Sequence, residues 1–306
     1  MIHIIANPLA GGGRAVPEAS SLAREIAAAG LACHVHVPAD RGETRRVATQ
    51  VAPTGLVIAC GGDGTVHDVL QGLMGAGIAT PSLAIWPVGT GNDIARGLMS
   101  LEIDPWALIE TLIEDQGRLI DVGAVITDEQ DADSVEYFLG VLSCGFDSSV
   151  NERANAMPSI VGKARYLIGV ARELPTYRPR WFSIDSDGSD KSMAAMVLAI
   201  GNGPAYGSGM YVCPGAVSDD GLFDITVVTN TPKRTFVSVL PKVYTGRHIE
   251  HDSVVSWRAT SLRIDAPDSV VYADGERIGR LPARVDLCPS RLRFIGPADA
   301  PSDASS

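Results

Sequence analysis

No Cys-x-x-Cys pair, no surplus of positive charge and no long apolar run occurs anywhere in the sequence. Cys33, Cys60, Cys144, Cys213 and Cys288 are widely spaced and odd in number, which argues against both a zinc site and a disulfide framework. They are expected to be buried free thiols in a reducing cytoplasm. A formal charge of −11 excludes wrapping nucleic acid, or lying on an anionic membrane, through the surface as a whole; only a local basic patch could do either. No apolar stretch is long enough to span a bilayer. The first residues pass straight into Ile2-His3-Ile4-Ile5 without a basic region or cleavage site, so no signal peptide is expected. No internal repeat is visible, and only Ala298–Ser306, rich in Ala, Ser, Pro and Asp, reads as a flexible tail.

At 306 residues the chain exceeds the usual single core, so two domains are expected. The first 125 residues alternate between strand and helix patterns. Ile2–Ala6, Leu31–Val37, Leu56–Cys60 and Ser82–Trp86 read as strands; Pro17–Ala29, Glu43–Val51, Thr65–Met74 and Pro105–Glu114 read as helices. Such alternation implies an α/β domain with a parallel sheet. Beyond a boundary near Gly117–Gly123 the character changes to short strands bounded by Gly, Pro, Asp and Ser, among them Val135–Leu142, Ala194–Ile200 and Arg284–Leu287. That is the pattern of an antiparallel β domain. Gly162–Leu174 and Pro232–Tyr244 interrupt it as helices.

Three glycine-bearing loops follow strands of the first domain. Leu56–Cys60 runs into Gly61-Gly62-Asp63-Gly64-Thr65, which opens a helix. Glycines there allow positive φ and close backbone approach to phosphate oxygens, and the helix start supplies amide donors. A tight turn needs glycines anyway, but a carboxylate in an anion site makes sense only if a cation bridges it to the phosphates, which favours a nucleotide. Gly89-Thr90-Gly91-Asn92-Asp93, with Arg96 beyond it, follows the next strand, and Asn7 to Arg14 follows the first. Ligands of open α/β sheets sit at strand carboxyl ends, so the three loops together read as a nucleotide-triphosphate site.

These loops, with Gly201-Asn202-Gly203, Asp219-Asp220-Gly221-Leu222-Phe223-Asp224 and Asp274-Gly275-Glu276, resemble the superfamily of diacylglycerol kinases, sphingosine kinases and ceramide kinases over roughly Ile2 to Pro297. The resemblance implies a nucleotide-binding α/β domain at 1–122 of the NAD kinase/phosphofructokinase-like type, a C-terminal antiparallel β-sandwich at 123–289, and a final segment, 290–297, returning to the first domain. It implies ATP and Mg²⁺ as cofactors, with Asn7, Pro8, Leu9, Ala10, Gly11, Gly61, Gly62, Asp63, Gly64, Thr65, Val66, His67, Thr90, Asn92, Asp93 and Arg96 at the nucleotide. Asp220 and the carbonyls of Val217 and Leu222 would hold a structural Mg²⁺, tied through water to Asp63 and Asp93. Alone, Asp-Asp-Gly and Asp-Gly read as ordinary turns. By resemblance Glu276 or Asp274 is the base that takes the proton from a lipid hydroxyl, with Glu276 placed first. Arg14, Arg96 and Lys163 are candidates for neutralising phosphate charge.

The sequence departs from the family pattern in two places. His67-Asp68 replaces a usual Asn-Glu, with His67 reading as a helix-surface residue, and Pro38 replaces a phosphate-contacting Thr. Between Asn151 and Phe182, six basic residues face two acidic ones, interleaved with apolar and aromatic side chains. This reads as a helix packed on the sandwich, with peripheral membrane contact at the inner face as the sharper alternative. The expected partners are a lipid substrate at the membrane surface and, through β edges, a second copy of the chain; no nucleic acid is expected. Two alternatives remain: an NAD kinase, and a nucleotide-binding regulator without turnover.

Overall fold

The computed structural model describes residues 1–99, 101, 104–129, 134–155 and 164–297. The chain opens with alternating strands and helices: β1 (Ile2–Ala6), α1 (Ala15–Ala28), β2 (Cys33–His36), α2 (Arg41–Val51), β3 (Leu56–Gly61), α3 (Asp63–Gly75) and β4 (Ser82–Pro87), then α4 (Asp93–Leu98) and α5 (Pro105–Ile113). β1 and β3 are buried along their whole length, because they lie inside a parallel sheet covered on both faces. The strand order is β2-β1-β3-β4, all parallel. One apolar cluster, with Leu70, Leu73 and Leu83, covers one face of this sheet, and a second, with Leu22, Ile26 and Leu108, covers the other.

The remaining strands are β5 (Gly117–Thr127), β6 (Glu136–Phe138), β7 (Val141–Gly145), β8 (Arg180–Ser186), β9 (Ser189–Gly201), β10 (Phe223–Thr229), β11 (Val254–Ala259), β12 (Ser261–Asp265), β13 (Val270–Ala273), β14 (Glu276–Arg280) and β15 (Ala283–Ile295). Pairing among them is antiparallel, and their inward side chains, Phe138, Phe182 and Phe223 among them, form a separate core. The α/β-plus-β-sandwich expectation is thus borne out. At its far end β15 also pairs in parallel with β4, through Arg293–Ser82 and Phe294–Leu83.

Several expectations need correction. The single strand expected over Val135–Leu142 is broken at Leu139-Gly140, whose amides turn away to the Asp274 carboxylate at 3.1 and 2.8 Å. Helix α6 (Phe146–Asn155) had weak apolar periodicity, with Phe146 and Val150 as its inward pair. Strand β11 also went unread. The helix expected over Pro232–Tyr244 is a short α8 (Lys233–Val239) continued by 3₁₀ turns over Leu240–Thr245 and Arg247–Glu250. Helix α7 (Ala164–Glu173) precedes β8. All five cysteines are free thiols, three of them buried.

Candidate active site

The three glycine loops meet at the carboxyl ends of β1, β3 and β4 around a cleft of 500 Å³. In the first, the Asn7 side chain accepts from the Leu9 amide at 2.9 Å, and a left-handed Gly11 follows, φ 60°. A β-carbon at Gly11 would lie 2.4 Å from the Val88 carbonyl, so only glycine lets this loop rest on the loop after β4. Of the two properties expected of the glycines that end β3 and open α3, positive φ is absent at Gly61, Gly62 and Gly64. They do permit close approach. A β-carbon on Gly62 would lie 3.1 Å from the Gly89 Cα, and one on Gly64 would lie 3.1 Å from the Glu276 Oε1. Helix α3 begins without a side-chain cap, its N-terminus facing the cleft.

Asn7, Leu9, Ala10, Gly11, Gly62, Asp63, Gly64, Thr65 and Thr90 line this cleft as expected residues brought together. Others of that set lie elsewhere. Val66 is buried in the core cluster over the sheet. Asn92 uses its amide to brace the Gly89 carbonyl at 3.1 Å. Arg14 donates to the Gly11 and Val88 carbonyls, and Arg96 to that of Gly91, so both arginines tie loops together. Lys163 lies outside the described residues, as do the side chains of Arg165, Tyr166 and Leu167. Of the basic segment that is described, Tyr177 is buried in a cluster with Phe146 and Phe236, and Arg153 pairs with Glu173.

The acids divide by role. Asp63 lines both the glycine cleft and an adjoining 290 Å³ pocket. Burial pushes its carboxyl up to about 6, with Asp93 and Asp274 adding to the rise against the pull of the Ile94 amide. Asp93 is engaged by the amides of Ser208 and Gly209 at 2.6 and 2.7 Å, which anchors the 206–210 turn. Asp274 has a fully buried side chain committed to Leu139 and Gly140, with His67 Nδ1 3.4 Å away. Glu276 stays partly exposed in the glycine cleft and accepts from Arg41 Nη1 at 2.6 Å. Between the two candidate bases, only Glu276 has a carboxylate open to a ligand.

His67 corrects the reading as a surface residue. It is 1% exposed, between Asp274 and Glu136. Burial alone would pull the imidazole down, but Asp274 and Glu136 outweigh it and hold it up at about 9. Burial would likewise raise Glu136, yet His67 and Arg45 bring it below its usual value. A histidine raised from 6.5 in the unfolded chain to about 9 when folded adds stability in full below pH 6.5 and loses it as pH climbs toward 9. Wild-type protein should therefore lose more denaturant resistance between pH 6.5 and 9.5 than His67→Gln, by on the order of 3 kcal/mol. Parallel curves for the two proteins would mean His67 is neutral in the fold.

The metal set expected from resemblance does not fit its position. Asp220 Oδ2 is paired with Arg258 at 3.1 Å, Arg258 also reaches Asp224 at 3.2 Å, and Asp220 Oδ1 accepts from the Leu222 amide. A guanidinium thus supplies the positive charge beside Asp220 and Asp224. No group of three His, Cys, Asp or Glu suited to a metal occurs among the described residues. Asp63 fits a cation better: one carboxylate plus substrate phosphates is a common magnesium environment, and its neighbours Asp93 and Asp274 make the pocket negative.

Sequence reasoning missed two features. Among the described residues Arg41 is the one cationic side chain lining the glycine cleft; it grips Asp68 with two nitrogens, at 2.8 and 3.0 Å, while holding Glu276. Asp40 caps α2 by accepting from the Glu43 amide at 2.8 Å, and reading that cap would have put Arg41 at the helix start, on the ligand edge of the sheet. The other is an apolar cavity of 320 Å³ between the sandwich and α8, lined by Phe146, Val197, Met210, Phe236 and Val239. Tyr206 belongs to its wall and to that of the pocket holding Asp63, and its hydroxyl is 3.1 Å from the buried Asp147 carboxylate.

Residues 1–125 match the diacylglycerol kinase catalytic domain, and residues 140–296 match the YegS C-terminal NAD kinase beta sandwich-like domain. A diacylglycerol kinase of Mycobacterium tuberculosis (strain CDC 1551 / Oshkosh) is 35% identical over 300 residues, 97% of this chain and 95% of its own length. Among solved structures, a diacylglycerol kinase from Bacillus anthracis str. Sterne superposes with a TM-score of 0.71 at 23% identity, covering 96% of each chain. An NAD kinase from Archaeoglobus fulgidus in complex with ATP superposes at 0.55 and 11% identity, covering 97% of this chain and 94% of its own. Both solved structures share the fold.

Proposed function

The chain belongs to the diacylglycerol kinase family of lipid kinases, which are phosphotransferases, and on that premise we propose that it transfers the γ-phosphate of ATP, with Mg²⁺, to the hydroxyl of a diacylglycerol-like or sphingoid-like lipid. The observation that carries this reading is the run of three adjoining spaces. The glycine cleft shares Asp63, Thr90 and Gly91 with the acidic pocket, which shares Tyr206 with the apolar cavity. Phosphates belong in the first, the reacting hydroxyl at the junction, and an alkyl chain in the last.

Phosphoryl transfer asks mainly for positioning and charge stabilisation. Magnesium, held by Asp63 and the phosphates, would supply neutralising charge. The lipid oxygen forms its bond to the γ-phosphorus as the bond to the β-phosphate oxygen breaks, and Glu276 takes the hydroxyl proton. Arg41 orients Glu276 and offers the cleft a side-chain cation. Arg41→Ala should lower kcat about 10²-fold, and Arg41→Lys should recover part of it; a change confined to KM for ATP would leave Arg41 as a binding residue only.

The test is transfer of ³²P from labelled ATP to a panel of lipid alcohols in mixed micelles with Mg²⁺, with NAD as the non-lipid arm. A labelled lipid supports the reading and names the acceptor. Label found only in NADP, or nowhere, sinks it.

A further inference from the structure

The lipid cavity is closed by a short lid whose two faces differ. From α8 through the following 3₁₀ turns, Phe236, Val239 and Val243 point inward and are buried against the cavity. On the outer face Val237, Tyr244 and Ile249 are 46%, 56% and 45% exposed. Around them stand exposed Lys233, Arg234, Lys242 and Arg247, with Glu250 as the one acid between Pro232 and Glu250. A protein of net charge −11 has thus placed a basic, apolar-studded surface over one site. The cavity reaches the surface there too, since Tyr244 and Pro241 are both lining and exposed. Lys233 joins the lid to the end of α7, donating to the Pro175 carbonyl at 2.5 Å.

Resting on the reading of this cavity as the lipid-chain site, we propose that the outer face of residues 233–249 docks on an anionic bilayer, so that the substrate passes from the leaflet into the cavity beside Tyr244 without crossing water. Basic side chains near a negatively charged surface and shallowly inserted apolar ones act together in this way, and such binding weakens with salt. Positive charge on the lid, against the repulsion of an acidic molecule, also fixes which side faces the membrane. In the 151–182 segment, expected to pack on the sandwich with membrane contact as the sharper alternative, Val170 lines the cavity and Tyr177 is buried.

The test uses the full-length protein with vesicles of phosphatidylcholine alone and of phosphatidylcholine with roughly a third phosphatidylglycerol, read by co-sedimentation. Wild type should partition onto the anionic vesicles at least about tenfold better, and an Arg234→Glu/Lys242→Glu protein should lose about tenfold or more of that partition. A Val237→Ser/Ile249→Ser protein should also bind less, with salt dependence retained. Transfer to a short-chain, water-soluble diacylglycerol should be unchanged in both, which separates docking from catalysis. Equal binding of wild type to both vesicles, or undiminished binding by the charge-reversed protein, overturns the proposal. So does a shift of the variants from dimer to monomer with vesicle binding intact, which would assign the face to a second copy. If no protein, wild type included, phosphorylates the soluble lipid, the kinase reading falls while the vesicle result still decides the docking.

Discussion

Glu276→Gln should lower kcat for lipid phosphorylation by about 10²- to 10⁴-fold while leaving the affinity for ATP close to wild type. The substitution keeps the side chain's size and leaves an oxygen able to accept from Arg41 Nη1, now 2.6 Å from the carboxylate. It removes the capacity to take a proton. The carboxylate is beside Gly64 at the start of α3, so it borders the space assigned to the phosphates without being built into the fold. Its side chain is 30% exposed, whereas that of Asp274 is 0%. Initial rates across ATP concentrations check the expectation. A Gln variant within tenfold of wild type in kcat would remove Glu276 from the role of base and leave transfer to positioning alone.

Asp274→Ala should cost about 3–5 kcal/mol of folding stability, read as a drop in the denaturant midpoint. Three partners lose their acceptor at once: the Leu139 and Gly140 amides and the His67 imidazole, all buried. Each buried donor left unpaired costs about 1–3 kcal/mol, more when charged. Backbone conformation adds to this, because residue 274 is left-handed, φ 52°, a region alanine tolerates poorly. Asp274→Asn should be milder, since Asn accepts that conformation and keeps one side-chain acceptor. Equal stabilities for Asp274→Ala and wild type would mean the buried carboxylate contributes nothing net, as a compensated ion pair sometimes does.

The parallel sheet was legible because β1 and β3 are short apolar runs ended by glycine loops, and those loops carry chemistry in their composition. What could not be read was built from residues far apart in the chain. Arg41 and Glu276 are 235 positions apart, and His67 meets Asp274 across 207. No local pattern announces that a histidine on α3 will be enclosed by acids from two other elements, so it reads as a helix-surface residue. The break in the 135–142 strand has the same origin, since its cause is a side chain from β13's end. At Asp220 the motif was visible but its neighbour was not: Arg258 comes from β11, a strand whose polar flanks hid it.

The pairing of β15 with β4 has a consequence for how the polypeptide is made. The outer edge of the nucleotide-binding sheet is completed by Arg293 and Phe294, while their partners Ser82 and Leu83 are synthesised more than two hundred residues earlier. During synthesis the first half of the chain must therefore wait with an open strand edge, a state prone to mispairing with neighbouring chains. The same stitch means that neither half closes its own sheet alone, and the enzyme matures as one unit when its final strand is laid in.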